Sequence, residues 1–285
     1  MLRITVNTEP LLEVGSQIRA IDMIKEAGFE GYDASFVRDD AKRDIFINSD
    51  YFRERAKELK VHAKAINLPC CQVYGFADVK DTTYSDERNM WGMLMANRSI
   101  EMAHILGARY CVLKTLNGYS FDRNVEYFKT VLKVAHKLKV KIAIQNNAKG
   151  FFSSHDDIPK LIKEIDDPYA LVCLDIGHAE MNKQVTTSAV KIIETLKDKI
   201  ACIKINDNNR FQDKQLLPWD GNIDYQGILK ALKAIKYQGD ISFECDGFLR
   251  SFPIEERGKA LVQIFKIGEK YKKKLRKEKS ITLQT

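Results

Sequence analysis

A chain of 285 residues, 45% hydrophobic and 30% charged, has the composition of a globular protein and enough length to bury a sizeable core. No apolar run approaches the roughly 20 residues of a membrane span, and the opening MLRITVNTEP carries no signal-peptide core. The net charge of +7 is concentrated in KYKKKLRKEKS from Lys270, so the rest of the chain is nearly neutral and lacks the basic body of a nucleic-acid binder.

In chain order, short β-branched runs alternate with longer amphipathic ones. The strands expected are RITVN (3–7), GYDAS (31–35), VHAKAI (61–66), RYCVLK (109–114), KIAIQ (141–145), ALVCLD (170–175), ACIKIN (201–206) and DISFEC (240–245), each bounded by Gly, Pro, Asn or Asp. QIRAIDMIKEAG is the first helix, with Ile18, Ile21, Ile24 and Ala27 on one face and Gly28 to end it. DYFRERAKEL leads to the third strand, and the long DERNMWGMLMANRSIEMAHILG follows it. NVEYFKTVLKVAHKL, DIPKLIKEI, TTSAVKIIETLKD, YQGILKALKAIKYQG and IEERGKALVQIFKIGEKY complete the helices.

Eight strand–helix alternations without a linker imply a parallel sheet with right-handed crossovers, and their number and length suit a single closed (β/α)8 barrel. An open doubly wound sheet would show a Gly-rich phosphate loop after an early strand, and none is present. The expected organisation is a barrel over 1–270 and a basic C-terminal tail over 271–285. Cys70, Cys71, Cys111, Cys173, Cys202 and Cys245 lie mostly in strand-like runs, as buried thiols do in a reducing compartment, so a cytoplasmic protein is expected.

A barrel of this kind carries its active site at the C-terminal ends of the strands. Polar residues gather there: Asn7, Asp33, Asn67, Lys114, Gln145, Asp175 with His178, Lys204 with Asn206 and Asp207, and Glu244. Alternation along a strand turns Cys173 inward with Asp175 on the sixth strand, and Cys202 inward with Lys204 and Asn206 on the seventh. Charged groups at several strand ends are costly to desolvate without partners, and their convergence marks a site.

IKEAGFEGYDAS, CLDIGHAEM and IKINDNNRFQDKQLLPWDGNIDYQGILKALKAIKYQGDISFE resemble, over nearly the whole chain, motifs of the xylose isomerase-like barrels. That group contains sugar phosphate isomerases and epimerases and zinc AP endonucleases. For the epimerase branch the resemblance implies one divalent metal, held by a Glu on strand five, an Asp after strand six, a His on strand seven and a Glu on strand eight. Asp175 and Glu244 match two of these ligands, whereas Gln145 stands for the first Glu and Lys204 for the His. An amide is a poor metal ligand and a protonated amine is none. The trinuclear zinc set implied for the endonucleases fares worse, since its strand-seven Asp-x-His matches Asp213 and Gln215, and His178 alone survives of its histidines.

The resemblance thus implies a sugar isomerase or epimerase with an altered metal site, acting on a small keto-sugar or polyol by proton transfer beside a carbonyl. Glu244 is the expected acid or base, Lys204 the electrophile and Gln145 an orienting group. Asp33, Asn67, Lys114, Asn206, Arg210 and Trp219 are candidates for substrate contact, with Lys114 able to meet an anion and Trp219 a sugar face. Asp175, His178 and Glu244 are what remains to hold Mn, Mg or Zn. Two other readings stay open: a catalytically inactive barrel in which Asp175, Lys204 and Glu244 are a salt-bridged plug serving sugar binding or protein interaction, and endonuclease-like DNA repair. No membrane partner is expected, and a homo-oligomer is left open.

Overall fold

The computed structural model describes residues 2–35, 51–75, 86–116, 118–181 and 189–276, with the side chains of 86–91 outside that description. Eight parallel strands close in chain order into one barrel: β1 (Ile4–Asn7), β2 (Gly31–Ser35), β3 (Cys70–Tyr74), β4 (Tyr110–Lys114), β5 (Lys141–Gln145), β6 (Ala170–Asp175), β7 (Ile200–Ile205) and β8 (Asp240–Phe243). Around it run α1 (Gln17–Glu26), α2 (Phe52–Ala65), α3 (Asp86–Leu106), α4 (Phe121–Leu138), α5 (Asp157–Ile165), α7 (Ala189–Leu196), α8 (Tyr225–Ala234) and α10 (Arg257–Arg276). Two single-turn helices, α6 (Ile176–Glu180) and α9 (Asp246–Arg250), stand at the C-terminal ends of β6 and β8.

The fold is the expected (β/α)8 barrel, with one strand displaced. VHAKAI, expected as the third strand, continues α2. Phe52, Ala56, Leu59 and Ala63 are the buried face of that helix, a helical spacing, while Val61 is 70% exposed. The strand itself is CCQVY, between Pro69 and Gly75. Asn67 therefore precedes β3, at the end of the barrel opposite the mouth. It has a left-handed φ of 52° just past α2, and its carbonyl accepts from Lys25 Nζ.

Apolar side chains divide into two cores. The larger lies between the sheet and the helices. The smaller fills half of the barrel bore, where Val112, Ala143, Cys173, Ala201 and Cys202 meet. Cys173 and Cys202 are inward-facing register partners, as strand parity predicted. The other half of the bore is polar: Oδ2 of Asp33 accepts from Thr5 at 3.1 Å, from Gln72 at 2.8 Å and from Ser242.

The basic C-terminal stretch begins within the last helix packed on the barrel. α10 runs on to Arg276, Tyr271 is fully buried, Lys272 pairs with Glu30, and Arg276 donates to the Leu2 carbonyl. A tail starting at 271 is thus corrected. Residues 277–285 lie outside the described residues. No helix among the described residues is long and apolar enough to cross a membrane.

Candidate active site

Two residues above the bore layer, the strand ends bring Tyr74, Lys114, Gln145, Asp175 and Lys204 to the mouth, with Glu244 just beyond β8. Lys204 Nζ donates to Glu244 Oε1 at 2.9 Å, and both side chains are buried. The ammonium also lies 3.7 Å from the centroid of the Tyr74 ring. Burial alone would lower the Lys204 pKa, but Glu244 and the other negative groups override it and hold the amine protonated, well above the ordinary value.

Asp175 closes β6 and caps α6, its Oδ1 accepting the His178 N–H at 3.0 Å. Oδ1 also accepts from Asn206 Nδ2 at 3.2 Å, and Oδ2 from Gln145 Nε2 at 2.8 Å. Gly177 makes this packing available, because a Cβ there would collide with the Asn206 amide. His178 lies under this turn with an acceptor at each ring nitrogen, the Asn146 carbonyl 3.0 Å from Nδ1 and Asp213 Oδ2 3.2 Å from Nε2. Burial opposes the charged imidazole, yet Asp175 and Asp213 raise its pKa to about 9.

These residues do not make a divalent-metal set. Asp175, His178 and Glu244, expected as residual ligands, are each committed: the carboxylates accept from donors already in place, and both nitrogens of His178 face acceptors. The ammonium of Lys204 stands beside Glu244, where it would repel a cation. Among the described residues no group of three or more His, Cys, Asp or Glu is arranged to hold a metal.

Other expected contacts are distributed unevenly. Asp33 lies deeper, in the polar half of the bore, where burial pushes its carboxyl up to about 6 against the hydrogen bonds from Ser242 and Gln72. Asn206 serves Asp175, and its carbonyl accepts from Tyr225. Arg210 ties down its own loop, with Nε donating to the Asn222 carbonyl at 3.2 Å and its guanidinium 3.7 Å from Glu180. Trp219, 49% exposed, sets its ring edgewise against Tyr225 and Tyr271, with Lys274 5.9 Å above it; these contacts lie in the helix layer. Asn67, as described, belongs to the opposite end.

Sequence reading missed Tyr74 because it misplaced the third strand. The signal was present in a short run bounded by Pro69 and Gly75, whose alternation turns Gln72 and Tyr74 inward. It also missed a carboxylate group beside β1. Asp246 accepts from Asn7 Nδ2 at 3.3 Å and lies 3.8 Å from Arg250, which pairs in turn with Glu9. Burial, with Glu244 and Glu9 nearby, pushes the Asp246 carboxyl well above the ordinary range.

A sequence model described as "Xylose isomerase-like TIM barrel" matches residues 21–264. An uncharacterized protein of Methanocaldococcus jannaschii is 27% identical over 159 residues, 53% of either chain. The chain thus spans about half the length of the curated relatives it matches. Among solved structures, an L-ribulose 3-epimerase superposes with a TM-score of 0.72 at 18% identity over 100% of both chains. D-allulose 3-epimerase from Methylomonas sp., in complex with D-allulose, superposes with a TM-score of 0.75 at 14% identity, covering 95% of this chain and 97% of its own. At these identities the structures bear on the fold.

Proposed function

The chain belongs to the xylose isomerase-like TIM barrel family, and from that premise we propose that it moves a proton at the carbon beside a carbonyl of a small hydroxylated substrate, as a sugar isomerase or epimerase. The buried Lys204–Glu244 pair at 2.9 Å carries this reading. Glu244 takes the proton from carbon, the C–H electrons move into the enolate, and return of the proton gives the product. An ammonium has three donor hydrogens, so Lys204 can keep Glu244 and still meet the carbonyl oxygen as its charge grows. Proton transfer by a positioned group is worth roughly 10²–10⁴ in rate, and a preorganised donor at a developing oxyanion roughly 10²–10³. Gln145 and Asp175 form the wall that orients the substrate. That the similar structures include an L-ribulose 3-epimerase and a D-allulose 3-epimerase supports the substrate class.

Proton NMR of a panel of ketoses and aldoses in deuterated buffer tests this reading. Solvent deuterium should enter beside the carbonyl with wild-type protein, and fail to enter with Lys204→Ala or Glu244→Gln. Stoichiometric divalent metal in the purified protein would overturn the role of Lys204 as the cation. A binding scaffold without chemistry is the second reading, favoured by Asp175, whose two oxygens are both occupied. Sugar binding without exchange would support it.

A further inference from the structure

Among the described residues the cations of the mouth are paired, with one exception. Lys204 is held by Glu244, His178 by Asp175 and Asp213, and Arg250 by Glu9 and Asp246. Among the described residues no carboxylate forms an ion pair with Lys114. Its amine is half-buried and lies 5.6 Å from the centroid of the Tyr74 ring. Lys204 and His178 lie within electrostatic reach of it and add repulsion, while Tyr74 and the more distant Glu244 offset burial and keep the amine charged. A half-buried ammonium with no ion pair of its own can take a bound anion as its partner.

A second observation lies beside it. Lys114 and Gln145 are register partners across β4 and β5. Gln145 is fully buried and its Nε2 is given to Asp175, but its Oε1 has no donor among the described residues. A buried acceptor without a donor is the natural place for a ligand hydroxyl. Tyr74 stands beside Lys114, and its hydroxyl is a second donor on that side of the mouth.

We propose that the substrate is a hydroxylated organic anion, its carboxylate or phosphate gripped by the Lys114 ammonium and the Tyr74 hydroxyl while one of its hydroxyls donates to Gln145 Oε1. This rests on the reading of the mouth as a sugar-acting site and narrows it to sugar acids or sugar phosphates. The two share an oxyanion, and matched ligands separate them.

Calorimetric titration of the full chain supplies the test, using small aldoses and ketoses paired with the corresponding uronates or aldonates and with the corresponding phosphates, and acetate and inorganic phosphate as anions without a sugar. At least one charged member should bind about tenfold more tightly than its neutral partner, with the preference weakening as salt rises. Lys114→Met should abolish the preference, Tyr74→Phe should reduce it, and Lys114→Arg should retain most of it. The proposal is overturned by equal affinity within every pair, by no binding from any charged sugar, by acetate or phosphate binding as tightly as the sugar anions, or by an unchanged preference in Lys114→Met. Should Lys114→Met fail to fold by circular dichroism, an unchanged preference in Tyr74→Phe overturns it equally. Deuterium exchange on the same panel keeps the two readings apart. Exchange with neutral sugars and no charge preference would sink this inference and keep proton transfer; charge-selective binding without exchange would do the reverse.

Discussion

Lys204 and Glu244 are buried 2.9 Å apart, and a buried ion pair is vulnerable to the loss of one member. Lys204→Met strands a carboxylate and should cost about 3–5 kcal/mol in urea unfolding, whereas Lys204→Met with Glu244→Leu should recover most of it. A double variant as unstable as the single one would mean that the carboxylate is not what makes the loss expensive. Asp33 makes the opposite case. Its carboxyl is raised from the ordinary 3.8 to about 6, so its contribution to stability is present below 3.8 and is lost as pH rises through 6. Asp33→Asn should therefore stabilise the barrel progressively from pH 4 to above 6, and little below pH 4. Melting temperatures of the two proteins across that range check the sign. Asp33 was legible from the sequence as a polar strand-end residue, but its depth was not. Its three donors come from β1, β3 and β8, which only barrel closure brings together.

The loop between β7 and α8 shows how one side chain organises an element. Asp207 accepts the backbone N–H groups of Asn208 and Ile223 on Oδ1 and of Trp219 on Oδ2, and its backbone pairs with Leu216. That fold of the loop carries Asp213 back to His178. Asp207→Ala should release the loop, quicken amide exchange across 208–223 and let the His178 pKa fall from about 9, read by NMR titration of its ring. An unchanged His178 titration would show that Asp213 is held independently. At this scale the third strand was misread. VHAKAI and CCQVY are both short apolar runs, and local propensity does not separate the last turn of a helix from a strand. The choice is made by packing, which buries Phe52, Ala56, Leu59 and Ala63 along one helical face.

Across the whole molecule, the last helix closes the structure against the first strands. Tyr271 is buried with Phe243 and Tyr225 around it, its neighbour Lys272 pairs with Glu30, and Arg276 reaches the Leu2 carbonyl. A chain cut after Lys270 loses all three contacts. Removing a buried aromatic alone costs about 3–5 kcal/mol, so this truncation should lower the melting temperature by many degrees, where a detachable tail would leave it unchanged. Eight strand–helix units, their order and most of their ends were readable from the sequence, because hydrophobic period and turn residues are local properties. Glu244, Lys204, Gln145 and Asp175 were readable too, since a closed parallel barrel sends every strand end to one mouth. What only the tertiary structure decided is which of these groups satisfy one another. Asp175 is held by its own helix and by Gln145 and Asn206, Lys204 is paired with Glu244, and Lys114 is left beside Tyr74 without an ion pair among the described residues. Charge in a low-dielectric mouth is settled by distances between residues far apart in the chain, and such distances exist only once the barrel has closed.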